Sequence, residues 1–239
     1  MKRQIRKVGV LGSGVMGMGI TAHLAGAGLE VVMLDIVPPK LSEEDEKKGI
    51  TTDNPDFRNR FAAGALARAL RENPQSGPFL HSDDAEHIFA GNFEDHAHRL
   101  KECDWIIEVV VENLKIKRSV MKMVEKNWNK KAVLSTNTSG IPLREIAEKM
   151  KPELKKAFLG THFFNPVRFM HLLEIIPFKE TDRKLLEFMA EFCETRLGKG
   201  VVYGKDTPNF VANRIGVYGI ASVFRHMERL GLTIEEVDA

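Results

Sequence analysis

The chain has 239 residues, 43% of them hydrophobic and 28% charged, with 35 basic against 33 acidic side chains. A net charge of +2 gives no electrostatic case for nucleic acid as a partner, and no apolar run approaches the roughly 20 residues that cross a bilayer. Cys103 and Cys193 lie too far apart for a close-spaced metal or redox motif, so both are expected to be free, buried thiols of a cytoplasmic protein, with no metal site.

Lys7–Leu11 is an apolar strand that runs into Gly12-Ser13-Gly14-Val15-Met16-Gly17. A helix of small and apolar residues is expected from Val15 to Ala27, stopped by Gly28. Glu30–Ile36 is a second buried strand, which completes one βαβ unit. Gly12 permits the tight turn, Gly14 lets backbone approach a pyrophosphate, and Gly17 lets the helix pack close to the sheet. The N–H groups of Val15 and Met16 open the helix towards that charge. Asp35, about 20 residues past the second glycine, suits the ribose hydroxyls and would repel a 2′-phosphate, which favours NAD over NADP. The other readings of such a turn are one that binds no nucleotide, or one that binds FAD.

Residues from about 43 to 93 are expected to form a helical insertion, with a helix from Phe57 to Glu72 and a loop over residues 73–78. Further strands are expected at Ile88–Asn92, Trp105–Val110, Ala132–Ser135, Phe158–His162 and Leu172–Ile176. Helices are expected at Leu114–Lys126, Pro142–Met150 and Thr181–Leu197. The fold class is therefore α/β, a Rossmann-type, mostly parallel sheet with helices on both faces. After Lys205-Asp206-Thr207-Pro208 a helix is expected from Phe210 to Leu230, then a capping-box start at Thr233 and Glu236. Residues 1–205 read as the nucleotide domain and residues 206–239 as the start of an all-helical C-terminal domain. A helix that opens just before the last residue makes the chain read as a fragment of a longer protein.

Oxidation of an alcohol needs a base for the hydroxyl proton, and histidine titrates in the right range. His162 ends a predicted strand and Glu174 lies on the next. A carboxylate inside Leu-Leu-Glu-Ile-Ile is costly to bury unpartnered, and hydrogen-bonded to the far ring nitrogen it would orient the imidazole. His171 is a second candidate partner.

The segments GSGVMGMGI, VVENLKIK, NTSG, GTHFFNP, LLEII and KDTPNFVANR, in this order, resemble the L-3-hydroxyacyl-CoA dehydrogenase family over essentially the whole chain. The resemblance implies NAD-dependent oxidation of an L-3-hydroxyacyl-CoA to a 3-oxoacyl-CoA in fatty-acid β-oxidation. It implies His162 as general base and Glu174 as its orienting partner, with Ser139 and Asn213 at the substrate's C3 oxygen and thioester. Asn137 and Asn165 would lie near the nicotinamide, with Glu112 and Lys117 near its ribose. For Lys117 the competing reading is a solvated helix lysine. Asn209 stands where many members carry glycine, and asparagine tolerates the left-handed conformation. The long insertion and these motifs look like the large bacterial fatty-acid oxidation proteins, in which an enoyl-CoA hydratase half follows the dehydrogenase, and a homodimer is expected of the full-length protein. Arg58, Arg60, Arg68 and Arg71 either contact coenzyme A phosphates or form a solvated helix face. The competing functions are a 3-hydroxybutyryl-CoA dehydrogenase run as an acetoacetyl-CoA reductase, and a non-catalytic NAD-binding relative. The presence of both His162 and Glu174 speaks against the second.

Overall fold

A computed structural model describes residues 3–239. Eight strands form one sheet: β1 (Lys7–Leu11), β2 (Glu30–Asp35), β3 (Ile88–Asn92), β4 (Trp105–Glu108), β5 (Val133–Thr136), β6 (Phe158–Phe163), β7 (Leu172–Pro177) and β8 (Gly200–Tyr203). Their order is β3-β2-β1-β4-β5-β6-β7-β8, with β1 to β6 parallel and β7 antiparallel to β6. The order reverses between β1 and β4, and open parallel sheets bind their ligands in the crevice at that reversal.

Strand residues alternate between two helical layers, so the central strands read as continuous apolar runs. Val8, Val10, Trp105 and Ile107 pack with Ile20 and Leu24 of α1 (Val15–Gly26) and with Leu185 and Met189 of α9 (Arg183–Thr195). Leu11, Ile106 and Leu134 face the other way, onto Val120, Met121 and Val124 of α6 (Leu114–Asn127) and Ile146 of α7 (Leu143–Ala147). Both cysteines are buried and free. Burial pushes the Cys103 thiol up to about 12 and Cys193 higher still.

The insertion departs from its expected form. The single helix expected over 57–72 is two, α3 (Pro55–Arg58) and α4 (Arg60–Ala69), after a short α2 (Glu43–Lys47). Asn54 caps α3 with Pro55 in its first turn, and the break falls at Asn59, whose Oδ1 accepts from Asn92 Nδ2 at 2.7 Å. The small face of α4, Ala62, Ala65 and Ala69, docks on Met18 and Ala22 of α1 and on Met33 of β2. The end of the insertion is β3 itself, the edge strand beside β2. Elements not expected from the sequence are 3-10 turns at Ser82–His87 and Ala97–Glu102, α5 (Phe93–His96), α8 (Pro152–Lys156) and β8.

Beyond β8 come α10 (Ala212–Leu230) and α11 (Ile234–Asp238). None of the residues of α10 is buried, and Ile215, Tyr218 and Phe224 are among its exposed apolar side chains. Among the described residues no helix is long and apolar enough to cross a membrane.

Candidate active site

The glycine loop is built by contact as much as by conformation. Gly12 holds φ at +112° and its N–H donates to Leu34 O at 2.7 Å, which ties the loop to β2. A Cβ on Gly17 would lie 2.0 Å from Gly12 O, so only glycine lets α1 begin this close to the strand. A Cβ on Gly14 would meet no atom within 4 Å. No side chain caps α1 and no acid lies in its first turn, so the N–H groups of Val15, Met16 and Gly17 have no acceptor among the described residues. An open approach to an uncapped helix start fits a pyrophosphate. Asp35 closes the loop from β2: its Oδ2 accepts from Ser13 N at 2.7 Å and Ser13 Oγ at 2.5 Å.

Across the crevice the ends of β4 and β5 carry a buried polar network. Lys117 is only 1% exposed, so the reading of it as a solvated helix lysine is incorrect. Its ammonium lies 2.8 Å from Glu108 Oε1, 3.2 Å from Val110 O and 3.2 Å from Glu112 Oε2, which occupies all three of its donors. Glu108 Oε2 accepts from Thr136 Oγ1 at 2.6 Å. Glu112 Oε1 accepts from Thr138 Oγ1 and from the N–H groups of Gly140 and Ile141 at 2.9 and 3.1 Å, and so braces the turn that carries Ser139. Burial pushes the Glu112 carboxyl up, but the Thr138 hydroxyl, the Lys117 charge and the two amides outweigh it and leave it below the ordinary range. Asn137 Oδ1 accepts from Phe163 N at 2.9 Å, which joins β5 to β6 just past His162.

His162 and Glu174 are direct partners across the antiparallel pair β6–β7, so their side chains share a face. Nδ1 of His162 lies 2.7 Å from Glu174 Oε2. With Glu174 as a carboxylate, which only accepts, Nδ1 is the donor of this hydrogen bond and a neutral ring carries its lone pair on Nε2. Among the described residues Nε2 has no hydrogen-bond partner. The ring packs edge-on to Phe164 and Phe210, with centroids 4.5 and 5.5 Å away. Glu174, fully buried, spends its other oxygen on the N–H groups of Val211 and Ala212, at 3.0 and 2.7 Å. One carboxylate thus fixes both the imidazole and the start of α10, whose first turn carries Asn213. His171 is not its partner; that ring's Nδ1 lies 2.9 Å from Gly198 O. The chain reaches α10 through Asn209 at φ +63° and Phe210 at +43°. Asp206 pins this segment to α7, accepting from Leu143 N at 2.7 Å.

Ser139, Asn165 and Asn213 stand at the ends of β5 and β6 and the start of α10, and none has a side-chain hydrogen bond among the described residues. The four arginines divide. Arg58 is held by Glu94 and Asp95, Arg60 by Asp45, and Arg71 Nε donates to Ala67 O. Only Arg68 lines the groove of about 500 Å³ that opens beside Ser13 and Gly14. Sequence reasoning missed Glu108, although a lone acid in Trp-Ile-Ile-Glu-Val-Val carries the same signal as Glu174 in Leu-Leu-Glu-Ile-Ile.

Residues 7–207 match the family described as 3-hydroxyacyl-CoA dehydrogenase, NAD binding domain. A "Probable 3-hydroxyacyl-CoA dehydrogenase" of Bacillus subtilis is 50% identical over all of this chain, and one of Deinococcus radiodurans is 45% identical over 98% of it. The chain spans 30% and 63% of the lengths of these two relatives. Among solved structures, an (S)-3-hydroxybutyryl-CoA dehydrogenase from Ralstonia eutropha superposes with a TM-score of 0.72 at 28% identity, covering 98% of this chain and 75% of that one. The chain belongs to the 3-hydroxyacyl-CoA dehydrogenase family and carries that family's NAD-binding domain.

Proposed function

We propose that the protein oxidises an L-3-hydroxyacyl-CoA to the 3-oxoacyl-CoA in fatty-acid β-oxidation. The observation that carries this reading is the His162–Glu174 pair, with Nε2 left as the lone-pair nitrogen on the side away from the carboxylate. In this reading Nε2 takes the proton of the substrate's 3-hydroxyl, and Glu174 stabilises the imidazolium that forms. NAD, bound at the glycine loop, supplies the hydride acceptor. Ser139 and Asn213 hold the C3 oxygen and the thioester, which a hydroxyl and a carboxamide can follow from alcohol to ketone without a change of charge. Asn137 and Asn165 border the nicotinamide side. Lys117, with its donors inside the protein, serves the ribose side by holding Glu112.

Residues 206–239 open a helical C-terminal domain in this reading, and the full-length protein is a cytoplasmic homodimer. The exposed apolar face of α10 supports that arrangement. The length of the bacterial relatives supports placing the chain in a larger oxidation protein. Light scattering on the full-length protein checks the dimer, and a monomeric mass removes it.

The test of the function is NADH formation by the full-length protein with 3-hydroxybutyryl-CoA and a long-chain homologue, with NAD and NADP compared. Turnover with NAD is expected, and Asp35→Ala is expected to narrow the preference for NAD over NADP by about tenfold, the worth of one charge-assisted hydrogen bond. Absence of turnover with every 3-hydroxyacyl-CoA overturns the reading. Activity confined to the four-carbon substrate favours the acetoacetyl-CoA reductase assignment instead, a reading favoured by the likeness to the Ralstonia structure.

A further inference from the structure

Lys199 is a buried ammonium that the proposed chemistry does not use. It is 4% exposed, and among the described residues no carboxylate lies within 4 Å of it. A buried charge without a counter-ion is costly, so what it touches is informative. Its Nζ donates to Val167 O at 2.5 Å and to Met170 O at 2.9 Å, while its backbone N–H is fixed to Cys193 O at the end of α9. Burial pushes its pKa down, with Cys193 opposing; charged or neutral, the amine keeps the two N–H donors that the carbonyls require.

The two carbonyls belong to the tight turn that follows Asn165, in which Phe169 N and Met170 N both donate to Pro166 O. Val167, buried in that turn, packs against Gly19 of α1, where a Cβ would come within 3.1 Å of Val167 Cγ2. The next residue, Arg168, reaches the other way. Its Nη1 donates to Pro74 O at 2.6 Å, Gly77 O at 3.2 Å and Phe79 O at 3.1 Å, which ties the insertion's loop to the turn. Pro166, Arg168, Gly77 and Pro78 all line the groove of about 500 Å³ that runs from Ser13 and Gly14 to Arg68.

We propose that Lys199 and Arg168 are positioning residues acting in series. Lys199 fixes the Pro166–Met170 turn, and Arg168 on that turn fixes the Pro74–Phe79 loop, so together they set the wall of the groove through which the acyl-CoA is held. The groove is lined both by glycine-loop residues, Ser13 and Gly14, which belong to the NAD end, and by insertion residues, Arg68, Gly77 and Pro78; the assignment of the acyl-CoA to the insertion side rests on the function proposed above. The serial link does not: among the described residues, the hydrogen bonds from this turn to the Pro74–Phe79 loop all come from Arg168.

The test compares Lys199→Met and Arg168→Met in the full-length protein by hydrogen exchange and by steady-state kinetics. Lys199→Met is expected to speed amide exchange about tenfold or more both at 166–170 and at 74–79, a loop it does not touch; Arg168→Met should speed it at 74–79 alone. Both variants are expected to raise KM for the acyl-CoA by about tenfold with kcat little changed, since the base and its acid are held by the sheet. A Lys199→Met protein that keeps 74–79 protected while 166–170 loosens overturns the serial link. A loosened loop with an unchanged KM overturns the positioning role. If Lys199→Met does not fold, Lys199→Gln, which keeps N–H donors on a shorter side chain, carries the exchange measurement at 74–79, and Arg168→Met, a half-buried position, carries the KM measurement. If the wild type turns over no 3-hydroxyacyl-CoA, the functional reading fails, while the exchange pattern still decides the link.

Discussion

Glu174→Gln is expected to lower kcat by about 10²–10⁴-fold, the range for losing a correctly held general base, with NADH affinity unchanged. The carboxylate accepts at both oxygens, from His162 on one side and from the amides of Val211 and Ala212 on the other. A carboxamide has one accepting end. If its oxygen keeps the two backbone donors, its NH2 faces Nδ1 and drives the imidazole to the tautomer protonated on Nε2, which cannot take a proton from substrate. The reverse orientation sets NH2 against two N–H groups and is the worse arrangement. Glu174→Ala adds a structural loss, because the amides of Val211 and Ala212 are left without an acceptor, at about 1–3 kcal/mol for each that stays dry. His162→Ala should be as inactive as Glu174→Gln, and the double variant no worse than His162→Ala alone, because the pair acts as a unit. Additive losses would show that Glu174 acts elsewhere and would remove the orienting role.

The parts of the molecule that were legible in the sequence are those where one local rule dominates. The first βαβ unit is written in the glycine spacing and the two apolar runs, and its strands fall at Lys7–Leu11 and Glu30–Asp35. Glu174 announced itself as a charge inside an apolar strand. What stayed hidden depended on tertiary partners or on elements too short to carry a pattern. Asn59 breaks the insertion helix where Asn92, 33 residues on, bonds its side chain. Lys117 looks like a surface lysine until Glu108, nine residues earlier, is seen buried beneath it. β8 is four residues long and only partly buried, paired to one neighbour, so neither length nor periodicity marks it. The arginines of the insertion share a composition that suits phosphate, yet Arg58 and Arg60 are taken by acids whose nearness follows from the fold alone.

Gly14→Ala and Gly17→Ala should part company, and their contrast separates a glycine kept for the fold from one kept for the ligand. At Gly17 the added Cβ would lie 2.0 Å from Gly12 O and 2.8 Å from its carbonyl carbon, both backbone atoms. Neither can rotate away, so α1 must retreat from the strand. Overpacking of this kind costs about 1–3 kcal/mol, which in a chain of this size lowers Tm by several degrees. The retreat also moves the N–H groups of the first turn, and a misplacement of about 1 Å is worth roughly 10²-fold in function, so NADH affinity should fall by that order. Gly14 has φ −63° and ψ −174°, a conformation open to alanine, and its Cβ meets nothing. Gly14→Ala should therefore keep or slightly raise Tm while still weakening NADH, because the methyl stands where backbone is meant to meet a pyrophosphate. Thermal melts and NADH fluorescence titrations of the two variants decide the matter. Wild-type affinity in Gly14→Ala would show that the phosphate does not approach the loop from the side this structure leaves open.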